Sequence, residues 1–350
     1  MPDTLLITGW GQVGPAGAGS AGCRPEAAVP LPVTRAFVDP GLDPVKRLGR
    51  GTARFIDRTT ALTLMACDEA AADADLRIEP MAERVGVTLG TSCGSVAGTA
   101  EFIRDSFVNE RPHMVNPIKF PNTVINCAAS HAAIRMGAKA INTTVSGGRV
   151  SGLLAMRHAQ LTLRAGHADA LLVGAVEEFT PENAWTAVRG RPRGDDTPLG
   201  EAAAMLVLER AAAARPGRRS WAELLAVTVQ TFGDPDDRAA SHRLGRAALA
   251  AAGVPAEEVA VVSLSGTGDP HADADRRRGL AGLFPDPAMR WRDAESIAGD
   301  CYSALAAVQL ADVLTLRRRD PGLAGRSALV AAFDETGVAA MAVLRFSGSE

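Results

Sequence analysis

Residues 140–152, Ala140-Ile141-Asn142-Thr143-Thr144-Val145-Ser146-Gly147-Gly148-Arg149-Val150-Ser151-Gly152, carry the pattern of a nucleophile elbow. A short strand over 141–145 runs into a Gly-Gly turn and then a long helix. Such a junction puts a turn residue at a helix N-terminus, where free N–H groups and the macrodipole favour negative charge. Enzymes use it to hold an activated Cys or Ser. On this reading the apex is Val145, which can neither attack nor donate. Ser146 beside it has a hydroxyl, and Asp300 with one of the six histidines would be its helpers; a small residue in a tight turn is the plainer reading. Cys93, in a Gly-flanked turn after a strand, and Cys301, at the start of a helix, are the other candidate nucleophiles. Cys127 sits in an Ala-rich helix and reads as a small buried hydrophobe. Asp269-Pro270-His271-Ala272-Asp273-Ala274-Asp275 has the ligand types of a metal site. No second ligand cluster accompanies it, so a solvated loop entering a helix is expected, with Asp favoured at the N-terminus. The run Gly90-Thr91-Ser92-Cys93-Gly94 lacks the Gly-Lys-Ser/Thr ending of a phosphate loop. No metal and no cofactor are expected.

Around these stretches the chain reads as an α/β protein. Thr4 to Gly9 is a buried opening strand, and residues 18–50, rich in Pro, Gly and Ala, are a surface excursion. A helix is expected from about Arg54 to Asp73, a strand over 85–89, and a helix to about Phe107. Asn116 to Pro121 is bounded by proline and cannot be helical throughout. A helix of small residues follows from Asn122 to Met136, then the elbow helix over 151–165. Strands at 170–176, 202–208, 224–229, 259–264, 328–333 and 338–346 alternate with helices near 241–252, 272–284 and 300–318. That alternation predicts a largely parallel sheet. Two buried helices, each entered from a Gly-containing turn, predict an internal duplication, divided as residues 1–210 and 211–350.

Composition narrows the function classes. At 350 residues the chain buries roughly three-quarters of its unfolded surface and needs no staple. A net charge of −3 leaves no footprint for nucleic acid or an anionic membrane. No apolar run approaches the roughly 20 residues that span a bilayer. Five scattered cysteines without a Cys-x-x-Cys pair, and no signal-peptide pattern, point to reduced thiols in the cytoplasm.

Several ordered motifs together resemble the β-ketoacyl synthase branch of the thiolase-like superfamily. Ile7-Thr8-Gly9-Trp10-Gly11-Gln12-Val13 is similar to its first strand, and Arg54-Phe55-Ile56-Asp57-Arg58 to its Met-Asp-Arg helix entry. Pro117-Ile118-Lys119-Phe120-Pro121 and Ile125-Asn126-Cys127-Ala128-Ala129 resemble its Pro-rich loop and Asn-x-Ala-Ala helix. Ala168-Asp169 through Gly174-Ala175-Val176-Glu177, and Gly200-Glu201-Ala202 through Glu209, resemble two further strands. The resemblance implies an αβαβα layered fold of two pseudo-symmetric halves. It also implies a Cys-His-His set, which by registration falls on Val145, Ser265 and Asp300. The family's Lys falls on Glu295, and its Gly-Phe-Gly-Gly turn on Asp334-Glu335-Thr336-Gly337. In the acidic pair after the first His, Asp273 survives and Arg276 replaces the Glu.

Decarboxylative condensation needs a thiolate to carry the acyl chain and imidazoles to donate hydrogen bonds to the forming enolate. Val145, Ser265 and Asp300 supply neither. The resemblance then implies a chain-length factor, the non-catalytic partner of an active ketosynthase in type II polyketide biosynthesis. The chain's shortness around Ala18 to Arg50 and Glu182 to Pro198 resembles partners in highly reducing, polyene-type systems. An acyl carrier protein would dock mainly on the partner ketosynthase. The implied acyl tunnel is lined by Pro117, Phe120, Val124 and Cys127, with Phe120 as stopper and Val124 one helical turn on, on the same face. The implied subunit interface carries Ala129, His131, Ile141 and Thr143. Two other readings remain open at this stage: an enzyme with relocated thioesterase or acyltransferase chemistry on Ser146, Cys93 or Cys301, and a homodimeric acyl-binding scaffold.

Overall fold

The computed structural model describes residues 4–15, 30–39, 41–190, 197–232, 239–284, 286 and 288–348. Part of the 18–50 excursion therefore lies outside the described residues. The strands among them are β1 (Leu5–Val13), β2 (Ala36–Phe37), β3 (Val85–Gly90), β4 (Asn142–Val145), β5 (Ala170–Glu177), β6 (Leu199–Gly200), β7 (Ala202–Arg210), β8 (Ala222–Thr231), β9 (Val259–Ser265), β10 (Arg290–Arg292), β11 (Ser327–Phe333) and β12 (Val338–Phe346). Ten of them form one sheet in the order β10-β9-β11-β12-β8-β1-β7-β5-β3-β4. Read outward from the β1–β8 seam, each half places its first strand, then its fifth, fourth, second and third. The duplication is thus written in the strand order. The seam itself is narrow, with only Leu6 facing Glu223 and Ile7 facing Ala222.

Helices complete the layers. Ser151–Arg164 and Leu305–Arg319 lie together in the middle, sharing one core with β1, β5, β7, β11 and β12. Small residues bring them close: a Cβ on Gly152 would stand 3.0 Å from the Ala307 nitrogen. Arg58–Asp73 and Cys127–Met136 cover the outer face of the first half, and Ala240–Ala252 and Pro270–Ala281 that of the second. The result is the αβαβα layering that the resemblance implies. Strands β3, β5 and β11 are buried along their whole length because both faces are covered.

Three expectations change. The sheet is mixed, because β7 and β12 run antiparallel to both their neighbours; the parallel pairs are β3 with β4 and β5, and β9 with β10 and β11. The helix expected from Arg54 starts at Arg58, where the Asp57 carboxylate caps the Thr60 N–H at 2.6 Å. The helix expected over 122–136 is two pieces, a 3₁₀ turn at Pro117–Thr123 and an α-helix at Cys127–Met136. Two prolines without N–H groups, Pro117 and Pro121, limit the first piece to short-range hydrogen bonds.

Candidate functional site

The elbow opens onto a cavity of about 630 Å³ at the junction of the two halves. β4 ends at Val145, Ser146 and Gly147 turn the chain, and a 3₁₀ turn at Gly148–Val150 leads into the helix from Ser151. Gly148 has φ +63°, and a Cβ there would collide with the Asp334 carboxylate. Arg149 follows, and its side chain, not that of Val145, faces the cavity.

Arg149 is 7% exposed and makes a closed set of contacts. Its Nη1 and Nη2 donate to Asp300 Oδ1 and Oδ2 at 2.8 and 3.0 Å, a bidentate pair. Its Nε donates to Glu335 Oε2 at 3.2 Å, and its backbone N–H to Asp334 Oδ2 at 2.7 Å. The guanidinium carbon lies 4.8 Å from the Tyr302 ring centroid. Tyr302 donates its backbone N–H to Asp300 Oδ1 at 3.0 Å and its hydroxyl to Glu335 Oε1 at 3.1 Å. Burial opposes the charge on Arg149, yet the adjoining Asp300 carboxylate prevails and the guanidinium pKa lies above its ordinary value.

The carboxyls nearby are also shifted up, which for them favours the neutral form. Glu177 closes one wall, accepting from Ser303 Oγ, from Ser92 Oγ at 2.8 Å and from the Ser92 N–H at 3.1 Å. Burial nonetheless pushes its carboxyl up to about 7. Burial and the Asp300 charge push Glu295 up to about 7 as well. Asp273 gathers the Ser265-Gly266-Thr267-Gly268 turn, accepting the Thr267 and Gly268 N–H groups at 2.9 and 3.1 Å. Arg276 pairs with Asp273 at 2.7 Å, so the two residues after the first expected His position are complementary.

Of the three positions assigned to the Cys-His-His set, Asp300 alone lines the cavity. Ser265 ends β9 and is buried beneath the turn. Val145 ends β4, half-buried, and does not line the cavity; the elbow side chain bonded to the group at position 300 is that of Arg149, as a thiolate served by an imidazole there would have to be. Arg149 was the residue missed. The signal available was its isolation, since it is the only charge between Lys139 and Arg157, in a run of small residues. Ser146 is exposed, does not line the cavity, and donates its hydroxyl at 2.8 Å to the carbonyl of Ser92, which does. Cys93 is exposed and lines the cavity; Cys301 lines it too but is buried, with its thiol pushed well up by burial and by Asp300. Asp269 caps the helix at Pro270 through the His271 and Ala272 N–H groups, as a loop entering a helix should. No group of three metal-ligating side chains occurs among the described residues.

The tunnel and interface positions separate into inner and outer sets. Phe120 is 57% exposed and packs on Phe102 with centroids 5.8 Å apart. Val124 follows the 3₁₀ turn in extended backbone, so it does not share an α-helical face with Phe120. Pro117 begins that turn. Cys127 is buried, its thiol pushed up to about 11 by burial. Ala129 is 0% exposed, packed inside this chain against the Arg58–Asp73 helix, and cannot itself meet another subunit. His131, Ile141 and Thr143 are half-buried. Around them stand exposed apolar side chains, including Phe107, Ile118, Val124, Ile125 and Ile134. β4, carrying Thr143, is the last strand of the sheet, hydrogen-bonded on one side to β3. No helix among the described residues is long and apolar enough to cross a membrane.

Residues 35–214 match the β-ketoacyl synthase N-terminal domain. The chain is 26% identical over 286 residues to a 3-oxoacyl-[acyl-carrier-protein] synthase 2 of Staphylococcus aureus, covering 73% of this chain and 70% of that one. Among solved structures it is similar to the ishigamide ketosynthase/chain length factor, at 37% identity and a TM-score of 0.88, covering 99% of this chain and 100% of that one. A β-ketoacyl synthase from Burkholderia phymatum shares the fold at 20% identity, with a TM-score of 0.83 and coverage of 98% and 99%. So does a type II polyketide ketosynthase bound to its acyl-carrier protein and a hexaketide, at 17% identity, a TM-score of 0.77 and full coverage of both chains. With its layered fold, its duplicated strand order and this match over half its length, the chain belongs to the β-ketoacyl synthase family.

Proposed function

We infer that this chain is a non-catalytic, chain-length-factor-like subunit that pairs with an active ketosynthase in type II polyketide biosynthesis of the highly reducing, polyene-forming kind. The observation that carries the reading is the Arg149–Asp300 pair. Registration puts an imidazole at position 300, and the side chain that meets position 300 from the elbow is a guanidinium, which supports the reading. A guanidinium cannot carry an acyl group. Both Asp300 oxygens are engaged by Arg149, and a carboxylate would repel the enolate that an imidazole stabilises. The full-length likeness to the ishigamide ketosynthase/chain length factor supports the same class.

The partner ketosynthase would supply the Cys-His-His set and the main docking surface for the acyl carrier protein. Its seat on this chain would be the free edge of β4 and the apolar residues around it, since an unpaired strand edge is a template for another chain. The acyl chain would run along that contact past Phe120 and Val124. The test is reconstitution. The isolated chain, incubated with an acyl thioester, should show no covalent mass shift, while the pair with an intact ketosynthase should extend a carrier-bound chain. A mass shift mapping to Cys93, the exposed thiol on the cavity wall, would instead support an acyltransferase. A pair that forms no product would overturn the chain-length-factor reading.

A further inference from the structure

We propose that Arg149, Asp300, Tyr302 and Glu335 form a latch, which holds the turn after β11 against the cavity and seals Cys301 behind it. The inference concerns motion within this one chain and stands whether or not the chain pairs with a ketosynthase.

The arms of the latch differ in strength. The Asp300 arm is bidentate and both partners are buried, so salt screens it little. The Glu335 arm is a single hydrogen bond of 3.2 Å to a carboxylate whose side chain is 53% exposed. Water and salt weaken such a contact. Tyr302 joins the two arms, with its N–H on Asp300, its hydroxyl on Glu335 and its ring under the guanidinium. Its φ is +45°, a left-handed conformation that side chains other than Asn, Asp and Gly rarely adopt. Among the described residues only Asp75 shares that property, and aspartate tolerates it better. A strained residue persists where its surroundings over-determine it, and here three contacts from the network do so.

The order of release follows. Loss of Glu335 frees the outer face of the guanidinium and the tyrosine hydroxyl together, and residue 302 can then relax. The buried Asp300 arm stays and keeps the helix entrance at Ser151 in place. Cys301, between Asp300 and Tyr302 in sequence, lines the cavity yet is 1% exposed. It becomes reachable when Tyr302 moves.

The cysteines of the chain provide the assay. Cys93 is exposed on the same cavity, Cys301 lies behind the latch, and Cys67 is buried in the Arg58–Asp73 helix. Alkylation by a maleimide, followed by peptide mass mapping, reads an open, a latched and a core thiol in one experiment. In the wild-type chain Cys93 should react fast, and Cys301 and Cys67 slowly. Glu335→Ala should speed Cys301 by about tenfold or more with Cys67 unchanged, the signature of local rather than global opening. Tyr302→Phe, lacking only the hydroxyl, should give a smaller rise. Raising salt from about 0.05 M to about 1 M should speed Cys301 in the wild type and not in Glu335→Ala. If Cys301 stays as slow as in the wild type in both variants, there is no latch. If Cys301 and Cys67 accelerate together, the opening is global unfolding and the latch is equally refuted.

Discussion

Replacing Arg149 with methionine removes the cation at the centre of the cavity while keeping most of the side-chain volume. Asp300, 6% exposed, then loses both guanidinium donors and keeps the Tyr302 N–H at 3.0 Å. Breaking a buried ion pair by deleting one partner typically costs about 3–5 kcal/mol. The surviving Tyr302 donor places the expected loss near the lower end, about 3 kcal/mol. With an unfolding entropy of about 2.1 cal/mol/K per residue, a chain of 350 residues should then melt about 4 °C lower. The loss should shrink as pH falls, because protonating the stranded Asp300 removes the buried charge. Adding Asp300→Leu to Arg149→Met removes both charges and should recover most of the loss, since apolar replacement of a whole buried pair is often neutral. Arg149→Lys should fall between, keeping the charge but losing the fork that grips two carboxylate oxygens at once. The assay is thermal unfolding followed by circular dichroism at pH 8 and pH 5. If Arg149→Met melts within about 1 °C of the wild type at pH 8, the ion pair contributes little to stability and the argument for its role fails.

Four further outcomes are expected. Glu295, shifted from 4.5 to about 7 by burial and Asp300, is held neutral in the fold; between about pH 4.5 and 7 the native state binds the extra proton, so stability falls as pH rises, and Glu295→Gln should flatten that decline in a series of melting curves. Ile134→Arg, at a residue 78% exposed, should weaken pairing with the ketosynthase by about tenfold or more on size-exclusion chromatography with the melting point of the isolated chain unchanged, whereas Ala129→Arg should unfold the chain itself. Phe120→Ala should lengthen the carrier-bound product of the reconstituted pair and Val124→Trp shorten it, read by mass spectrometry; unchanged lengths for both would remove this segment from the tunnel wall. Arg149→Cys should not create a second condensing site, since no imidazole stands at 265 or 300, and radiolabelled malonyl-carrier decarboxylation by the isolated variant would contradict this.

The layered fold was legible because strands and helices keep distinct hydrophobic periods and because the motif order survives over the whole chain. Mixed strand direction was not, since a buried strand such as β7 reads as an unbroken apolar run whichever way it pairs. The two-residue strands β2 and β6 carry no period at all. At the site, Asp300, Glu295 and Asp273 were found by registration with a motif. Arg149 was missed because the Gly147-Gly148 pair drew the apex four residues too early, onto a strand end. A turn's apex depends on where the helix takes up its first hydrogen bonds, and Gly-Gly leaves that position free. Ala129 was misplaced for a related reason. Small residues favour any close helix contact, and sequence does not tell whether the neighbour is another subunit or, as here, the chain's own helix.

The shared use of Arg149 by Asp300, Asp334 and Glu335 also bears on the history open to such a chain. A change to cysteine would leave Asp334 its backbone N–H but take the guanidinium from Asp300 and Glu335, and the buried Asp300 would lower stability long before any chemistry appeared. Histidine at position 300, arriving first, would leave the buried Arg149 guanidinium without the anion that grips it. Under the proposed function, either single step toward a Cys-His pair therefore lowers stability before it adds chemistry. On the proposed reading the ion pair acts as a ratchet, which holds a lineage that acquires it to a partner's role.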